Sequence, residues 1–351
     1  MKMLKIVQVA PFEESVPPKK YGGTELVVSN ITEELIKRGH SVYLIATGDS
    51  KTSAKLIPVF PEAIRRHPEA KDAKIREAFK YIGVGRVINF LRGINADIVH
   101  NHIGWRLFPF APSVSKPIIT TLHGPLDVPY QKFVHKQFQK YPFVSISDSQ
   151  RRPLPELNYV ATVYNGIDVK KLKFNETPKD HFVFLGRMSP EKGPVQAIKI
   201  AKKAGVKLKM AAKVDTLDAP FFEKEVKPLI DGKQIEFIGE IKTAEKSNFL
   251  GNARGLIAPI QWEEPFGLFF TETMACGTPV ITFNRGSVPE IIKDGKTGFI
   301  AKNMNEAVRV VKNIDKIERK ECRKNVEEKF TVEKMVDGYE KVYYELTKGK
   351  K

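Results

Sequence analysis

A chain of 351 residues exceeds the usual size of one hydrophobic core, and with 42% hydrophobic residues it can fill two domains of roughly 170 residues each. Two cysteines, Cys276 and Cys322, exclude a disulfide framework; with no export-type start the expected compartment is a reducing cytoplasm, and no apolar run approaches the roughly eighteen residues of a membrane-spanning helix. The net charge of +17 is uneven, +11 in residues 1–173 and +6 in the remainder, and such a field favours an anionic partner: acidic lipid at a peripheral membrane contact, a phosphorylated acceptor or nucleic acid. A Lys-rich, solvated surface accounts for the same excess equally well.

The chain opens with an apolar run, Met3–Ala10, and a Pro- and Gly-containing loop that ends at Gly22-Gly23. Leu26, Val27, Ile31, Leu35 and Ile36 then recur at helical spacing from Thr24 to the stop at Gly39, and Ser41–Ala46 is a second strand, which completes a β-α-β unit. Short apolar strands follow at 97–101, 117–122, 142–146 and 159–164. Strands this apolar belong to a parallel sheet covered on both faces. The linker falls near 165–180, and a second series has strands at 181–185, 207–211, 234–238, 255–258, 280–283 and 298–300. The expected architecture is two doubly wound α/β units, residues 1–165 and 166–331, with a last amphipathic helix at about 332–346. Gly83 and Gly85 imitate part of a dinucleotide fingerprint, but Ile88 stands at the third glycine position inside a helical pattern, which points to helix packing.

Glu264-Pro265-Phe266-Gly267-Leu268 leads into a helix that carries Glu272 one turn in and stops at Gly277 and Pro279. Unpaired amides near Phe266, Gly267 and Leu268, aided by the helix dipole, make a seat for a phosphate. A phosphate flanked by two carboxylates suggests a sugar nucleotide, with one acid on the ribose and the other on the transferred sugar. The spacing alone also fits an amphipathic helix end that happens to carry two acids. Arg187 and Lys192 sit in a strand-to-helix turn, where ligands of parallel sheets bind and where two cations can neutralise a diphosphate. Gly22 and Gly23 occupy the corresponding turn of the first unit, and His123 ends the strand 117–122. His100 and His102 share one side of their strand by alternation and find no third ligand at metal spacing, so satisfied polar groups or acceptor contacts are the expectation.

The Glu264-x7-Glu272 segment, with Pro265-Phe266-Gly267 and Ala275-Cys276-Gly277-Thr278-Pro279, resembles the retaining glycosyltransferases of family 4, which have the GT-B fold. Gly186-Arg187 with Glu191-Lys192-Gly193, Gly22-Gly23-Thr24-Glu25 and His123 extend the likeness to both units. The resemblance implies two Rossmann-like domains facing a cleft, an N-terminal acceptor side and a C-terminal nucleotide-sugar side, with the last helix, about 332–351, crossing back to the first domain. It gives Glu264 and His123 the donor sugar, Arg187 and Lys192 the leaving diphosphate, Glu272 the ribose, and Gly22, Gly23, Phe266, Gly267 and Leu268 further donor contacts. It also implies a hexosyltransferase that needs no cofactor and no metal, in line with the absence of any Asp-x-Asp. UDP-glucose is the first donor to expect on family frequency, with an acceptor that is a small molecule, a glycan or lipid-linked. The segment Met210–Asp215 is less Gly-rich than the family's, which loosens the fit of the nucleotide and leaves Lys213 as a further phosphate contact or a surface lysine. The competing readings are a sugar-nucleotide epimerase of the same fold and a basic module that binds nucleic acid or anionic membrane. The lack of aromatic RNA-binding motifs and Cys-His fingers speaks against nucleic acid.

Overall fold

The computed structural model describes residues 2–19 and 22–348, which form two units. The first runs up to Gly166 and takes the chain again from Val332; the second is Ile167–Thr331.

In the first unit the strands β1 (Lys5–Val9), β2 (Ser41–Ala46), β3 (Lys55–Pro58), β4 (Ile98–Asn101), β5 (Ile118–Thr121), β6 (Phe143–Ser145) and β7 (Tyr159–Thr162) make one sheet in the order 3-2-1-4-5-6-7. Every pairing is parallel, as in β1 with β4, where Ile6 lies opposite Ile98. The helices are α1 (Gly23–Lys37), α2 (Ala73–Gly93) and α3 (Pro129–Gln137). Val7, Val9, Ile45, Val84, Val87 and Val99 share a dry core. Parallel pairing leaves both faces to be covered, which is why nearly every residue of β1 and β4 is buried. β3 escapes the apolar-run reading because it is an edge strand of Lys, Leu, Ile and Pro with partly exposed side chains. Gly83 faces the Phe12 ring inside α2, where an added Cβ would come within 2.5 Å of it, so helix packing is its use.

The second unit holds β8 (Phe182–Arg187), α4 (Pro194–Ala204), β9 (Leu208–Lys213), α5 (Ala219–Phe221), β10 (Ile235–Gly239), α6 (Thr243–Gly251), β11 (Leu256–Ala258), α7 (Leu268–Ala275), β12 (Val280–Phe283), α8 (Val288–Ile291), β13 (Gly298–Ala301), α9 (Met304–Val311) and α10 (Arg319–Lys329). Its six strands run parallel in the order 10-9-8-11-12-13. In both sheets the order reverses beside the first strand of the unit, β1 or β8, and such a switch point opens a crevice at the carboxyl ends of the strands. The last helix, α11 (Val332–Thr347), belongs to the first unit and packs on α1, β4 and β7, burying Met335, Val336, Tyr339, Val342 and Tyr343. No helix among the described residues is long and apolar enough to cross a membrane.

Candidate functional site

In the second unit, Lys192 and Glu264 are a direct ion pair, both side chains nearly buried. Glu264 Oε2 also accepts from the Trp262 indole N–H at 3.1 Å, and the Lys192 ammonium lies over the Trp262 ring, 4.9 Å from its centroid, and the Phe269 ring, 5.1 Å away. The lysine comes from the turn after β8 and the glutamate from the loop after β11, so two neighbouring strand ends of the sheet supply the pair. Arg187, the last residue of β8, pairs with Glu191 and with Asp218 at 3.3 Å. Glu272, buried in α7, is held by Lys246 of α6 at 2.8 Å.

Two glycines allow this convergence. Gly267 is the N-cap of α7 with φ +78°, and a Cβ there would sit 2.6 Å from the Phe270 ring. Among the described residues no side chain caps the helix, so its start offers backbone N–H groups to a ligand. Gly193, at φ +71°, passes so close to Pro259 that a Cβ would lie 2.2 Å from its carbonyl oxygen, which sets Lys192 against the β11 side of the sheet. The loop of Glu264 is tied by Ser287, whose N–H donates to the Glu264 carbonyl at 2.9 Å and whose hydroxyl donates to the Phe266 carbonyl at 3.0 Å. Lys213 lies 3.6 Å from Asp215.

In the first unit, His123 is half-buried beside a chain of hydrogen bonds. Burial holds the His100, His102 and His123 imidazoles below the usual histidine range, His123 at about 4, so all three are neutral near pH 7. With Gln8 Oε1 toward His102 and Gln8 Nε2 toward Tyr343, every proton position follows. His102 Nε2 donates to Gln8 Oε1 at 2.8 Å, so its Nδ1 accepts from His123 Nε2 at 2.9 Å. Gln8 Nε2 donates to the Tyr343 hydroxyl at 3.2 Å, which donates to His100 Nδ1 at 2.7 Å. His100 Nε2 donates to Thr121 Oγ1 at 2.7 Å, and Thr121 donates to the Tyr339 hydroxyl at 3.1 Å. His123 is therefore left with Nδ1 as an acceptor. His100 and His102 are satisfied polar groups, and among the described residues no set of three His, Cys, Asp or Glu is arranged to hold a metal.

At the start of α1, Gly22 caps the helix and its missing side chain leaves room for Pro18 and Glu25: a Cβ would meet Pro18 at 2.7 Å and Glu25 Oε2 at 3.1 Å. Tyr21, next to this motif, lies outside the described residues. Burial lifts the Glu25 carboxyl to about 7, with the nearby Glu14 acting in the same direction.

The structure thus brings Lys192 to Glu264, places Gly267 and Leu268 beside them, and sets Arg187 at the end of β8, ahead of the turn that carries Lys192. Trp262, Lys246 and Asp218 join the cluster without any signal of their own in the sequence, where no motif singles them out. Chemically, the cluster holds cations that carboxylates neutralise, next to uncapped amides, so an incoming anion can take over the cations while an acid is released toward its neighbour.

Residues 21–171 match the family model of Glycosyltransferase Family 4, and residues 167–331 match that of Glycosyl transferases group 1. The chain is 28% identical to an uncharacterized glycosyltransferase of Methanocaldococcus jannaschii over 74% of its own length and 78% of the relative's. It is 25% identical to the N-acetyl-alpha-D-glucosaminyl L-malate synthase of Bacillus anthracis, over 94% and 96% of the two chains. Among solved structures, an Anabaena protein in complex with UDP-glucose aligns with a TM-score of 0.72 at 15% identity, covering 97% of this chain and all of that one, a likeness of fold.

Proposed function

The chain belongs to the family 4 glycosyltransferases of the group 1 type, and from that premise we propose that it moves a hexosyl group from a UDP-sugar to an acceptor hydroxyl with retention and without a metal. The observation that carries this reading is the Lys192–Glu264 pair beside the uncapped start of α7. When the donor binds, its diphosphate draws Lys192 and Arg187 and the Gly267–Leu268 amides, and Glu264 turns to the hydroxyls of the sugar. Glu272, steadied by Lys246, takes the ribose. The bond from the anomeric carbon to the leaving phosphate oxygen breaks, and negative charge grows on that oxygen. Lys192, Arg187 and the helix amides stabilise it, the task a metal performs in other transferases. The acceptor oxygen bonds to the anomeric carbon from the face the phosphate leaves, and its proton passes to the departing phosphate oxygen. In the first unit, His123, with Nδ1 free to accept, is suited to a sugar hydroxyl, and Gly22 and Gly23 allow a ligand close to the backbone.

Glucose as the donor sugar is supported by the family likeness and by the Anabaena neighbour, whose structure contains UDP-glucose. The basic excess of residues 1–173 supports a peripheral contact with anionic lipid, which co-sedimentation with vesicles at low and high salt would reveal. UDP is expected to raise the melting temperature, because a ligand bound only by the folded state stabilises it. Glu264→Gln should abolish transfer while keeping that shift, and Lys192→Ala should weaken it. Full transfer by the Glu264→Gln variant, or loss of transfer in EDTA, would overturn the scheme.

A further inference from the structure

A cavity of about 180 Å³ opens within the first unit between the segment after β4 and helix α3, lined by Trp105, Arg106, His123, Tyr130, Gln131 and His135 among others. It is smaller than the pockets of drug-sized ligands and suits a single ring. Its chemistry is one-sided. His135 is 2% exposed and donates from Nδ1 to the Gln131 carbonyl, 2.8 Å away, one turn back in its own helix. Burial holds this imidazole below the usual histidine range, so the ring is neutral and Nε2 carries a lone pair. Among the described residues that Nε2 has no hydrogen-bond partner, and neither has Gln131 Oε1. Two residues of the lining thus hold buried acceptors that lack donors, and an unmet buried polar group is costly.

An anion would meet a single lining cation here, beside acceptors that turn lone pairs rather than protons toward it. Arg106 is the lining cation, and Glu77 holds it through two bonds of 3.0 and 3.1 Å. The three lining histidines, His102, His123 and His135, are kept neutral by burial. Aromatic surface completes the cavity: Tyr130 is 56% exposed, and Trp105 carries the Arg106 guanidinium 4.8 Å from its ring centroid.

We infer that this cavity is the acceptor subsite, and that it takes a neutral, hydroxyl-rich ring such as the terminal sugar of a glycan, in preference to a phosphorylated or carboxylated acceptor; the inference rests on the transferase reading above. The ring lies against Tyr130, turns the half-buried Gln131 side chain as it enters, and donates hydroxyls to His135 Nε2 and Gln131 Oε1. His123 at the cavity edge then adjoins the hydroxyl that attacks. The acceptor differs in kind from L-malate, the carboxylated acceptor in the name of the Bacillus anthracis relative.

The test is saturation-transfer NMR on the full chain with UDP present, using neutral methyl hexosides, the corresponding hexose 6-phosphates and malate. Signal transfer to at least one hexoside is expected, with about tenfold weaker binding in Gln131→Leu and in His135→Phe, as befits the loss of one or two neutral hydrogen bonds. If His135→Phe does not fold, Gln131→Leu decides, since that side chain is only partly buried. Stronger binding of the phosphates or of malate, or unchanged hexoside affinity in the variants, overturns the inference. The UDP melting shift is read on the same samples: its presence with no hexoside bound sinks the acceptor subsite alone, whereas its absence sinks the donor reading beneath it.

Discussion

Glu25 keeps a proton in the folded chain that it has already lost in the unfolded one, because burial lifts its carboxyl from 4.5 to about 7. Across that window unfolding releases a proton, so its contribution to stability falls as pH rises from about 4.5 to 7 and stays low above it. Glu25→Gln should therefore stabilise the protein at pH 8, by up to about 3 kcal/mol for a shift of this size, and change little at pH 4.5. His123, lowered from 6.5 to about 4, works in the opposite sense: the unfolded chain binds the extra proton, so stability is lost as pH falls from 6.5 toward 4. His100 and His102 shift the same way. Melting curves of wild type and Glu25→Gln from pH 4.5 to 8 separate the two; a difference that does not grow with pH would acquit Glu25. At this scale the sequence showed part of the site. The glycines and acids of the 264–272 segment stand out because a phosphate seat needs uncapped amides beside charge. Lys246 and Trp262 do not, because what selects them is a contact with Glu272 or Glu264 made only after α6 and the loop before α7 have packed.

Among the elements, α11 contributes more than an apolar face. Its Tyr343 and Tyr339 join Gln8 of β1, His100 of β4 and Thr121 of β5 in one line of hydrogen bonds that ends at His123. Tyr343→Phe strands both Gln8 Nε2 and His100 Nδ1 in the interior, and a cost of about 1–3 kcal/mol is expected, read as a lower urea midpoint. The variant also frees the Gln8 amide to reverse, which would move the proton of His123 from Nε2 to Nδ1 and remove the acceptor proposed to hold a sugar hydroxyl. Nitrogen-15 shifts of the His123 ring would report that exchange, and an unchanged tautomer would show that Gln8 is fixed by other means. The strands other than the edge strand β3 were legible because apolar runs bounded by turn residues survive any context. β12, for instance, spans Val280–Phe283, the four residues the sequence delimits. The helix α11 was legible from its stripe, Met335, Val336, Tyr339, Val342 and Tyr343. The polar line was not, because it joins residues 243 and 335 positions apart that no local period relates.

On the scale of the whole molecule, the second unit is one continuous stretch, Ile167–Thr331, whereas the first is assembled from two separated stretches of chain. A fragment of residues 167–331 should fold alone and give a cooperative melt. A fragment of residues 1–166 should not, since the α11 side chains that fill its sheet are missing; adding a peptide of residues 332–348 should restore helix content and a melting transition. A cooperative melt of 1–166 by itself would show that the remaining core suffices.

This discontinuity sets an order of events at the ribosome. A growing chain folds its domains as they emerge, at about 5–20 residues per second. The second unit is complete once Thr331 is out, but the sheet that is translated first must wait with the polar ends of Gln8, His100 and Thr121 uncovered until Val332–Thr347 appears. Of the two units, the one whose synthesis starts first is therefore the one finished last. For many seconds of synthesis it is the natural client of a chaperone.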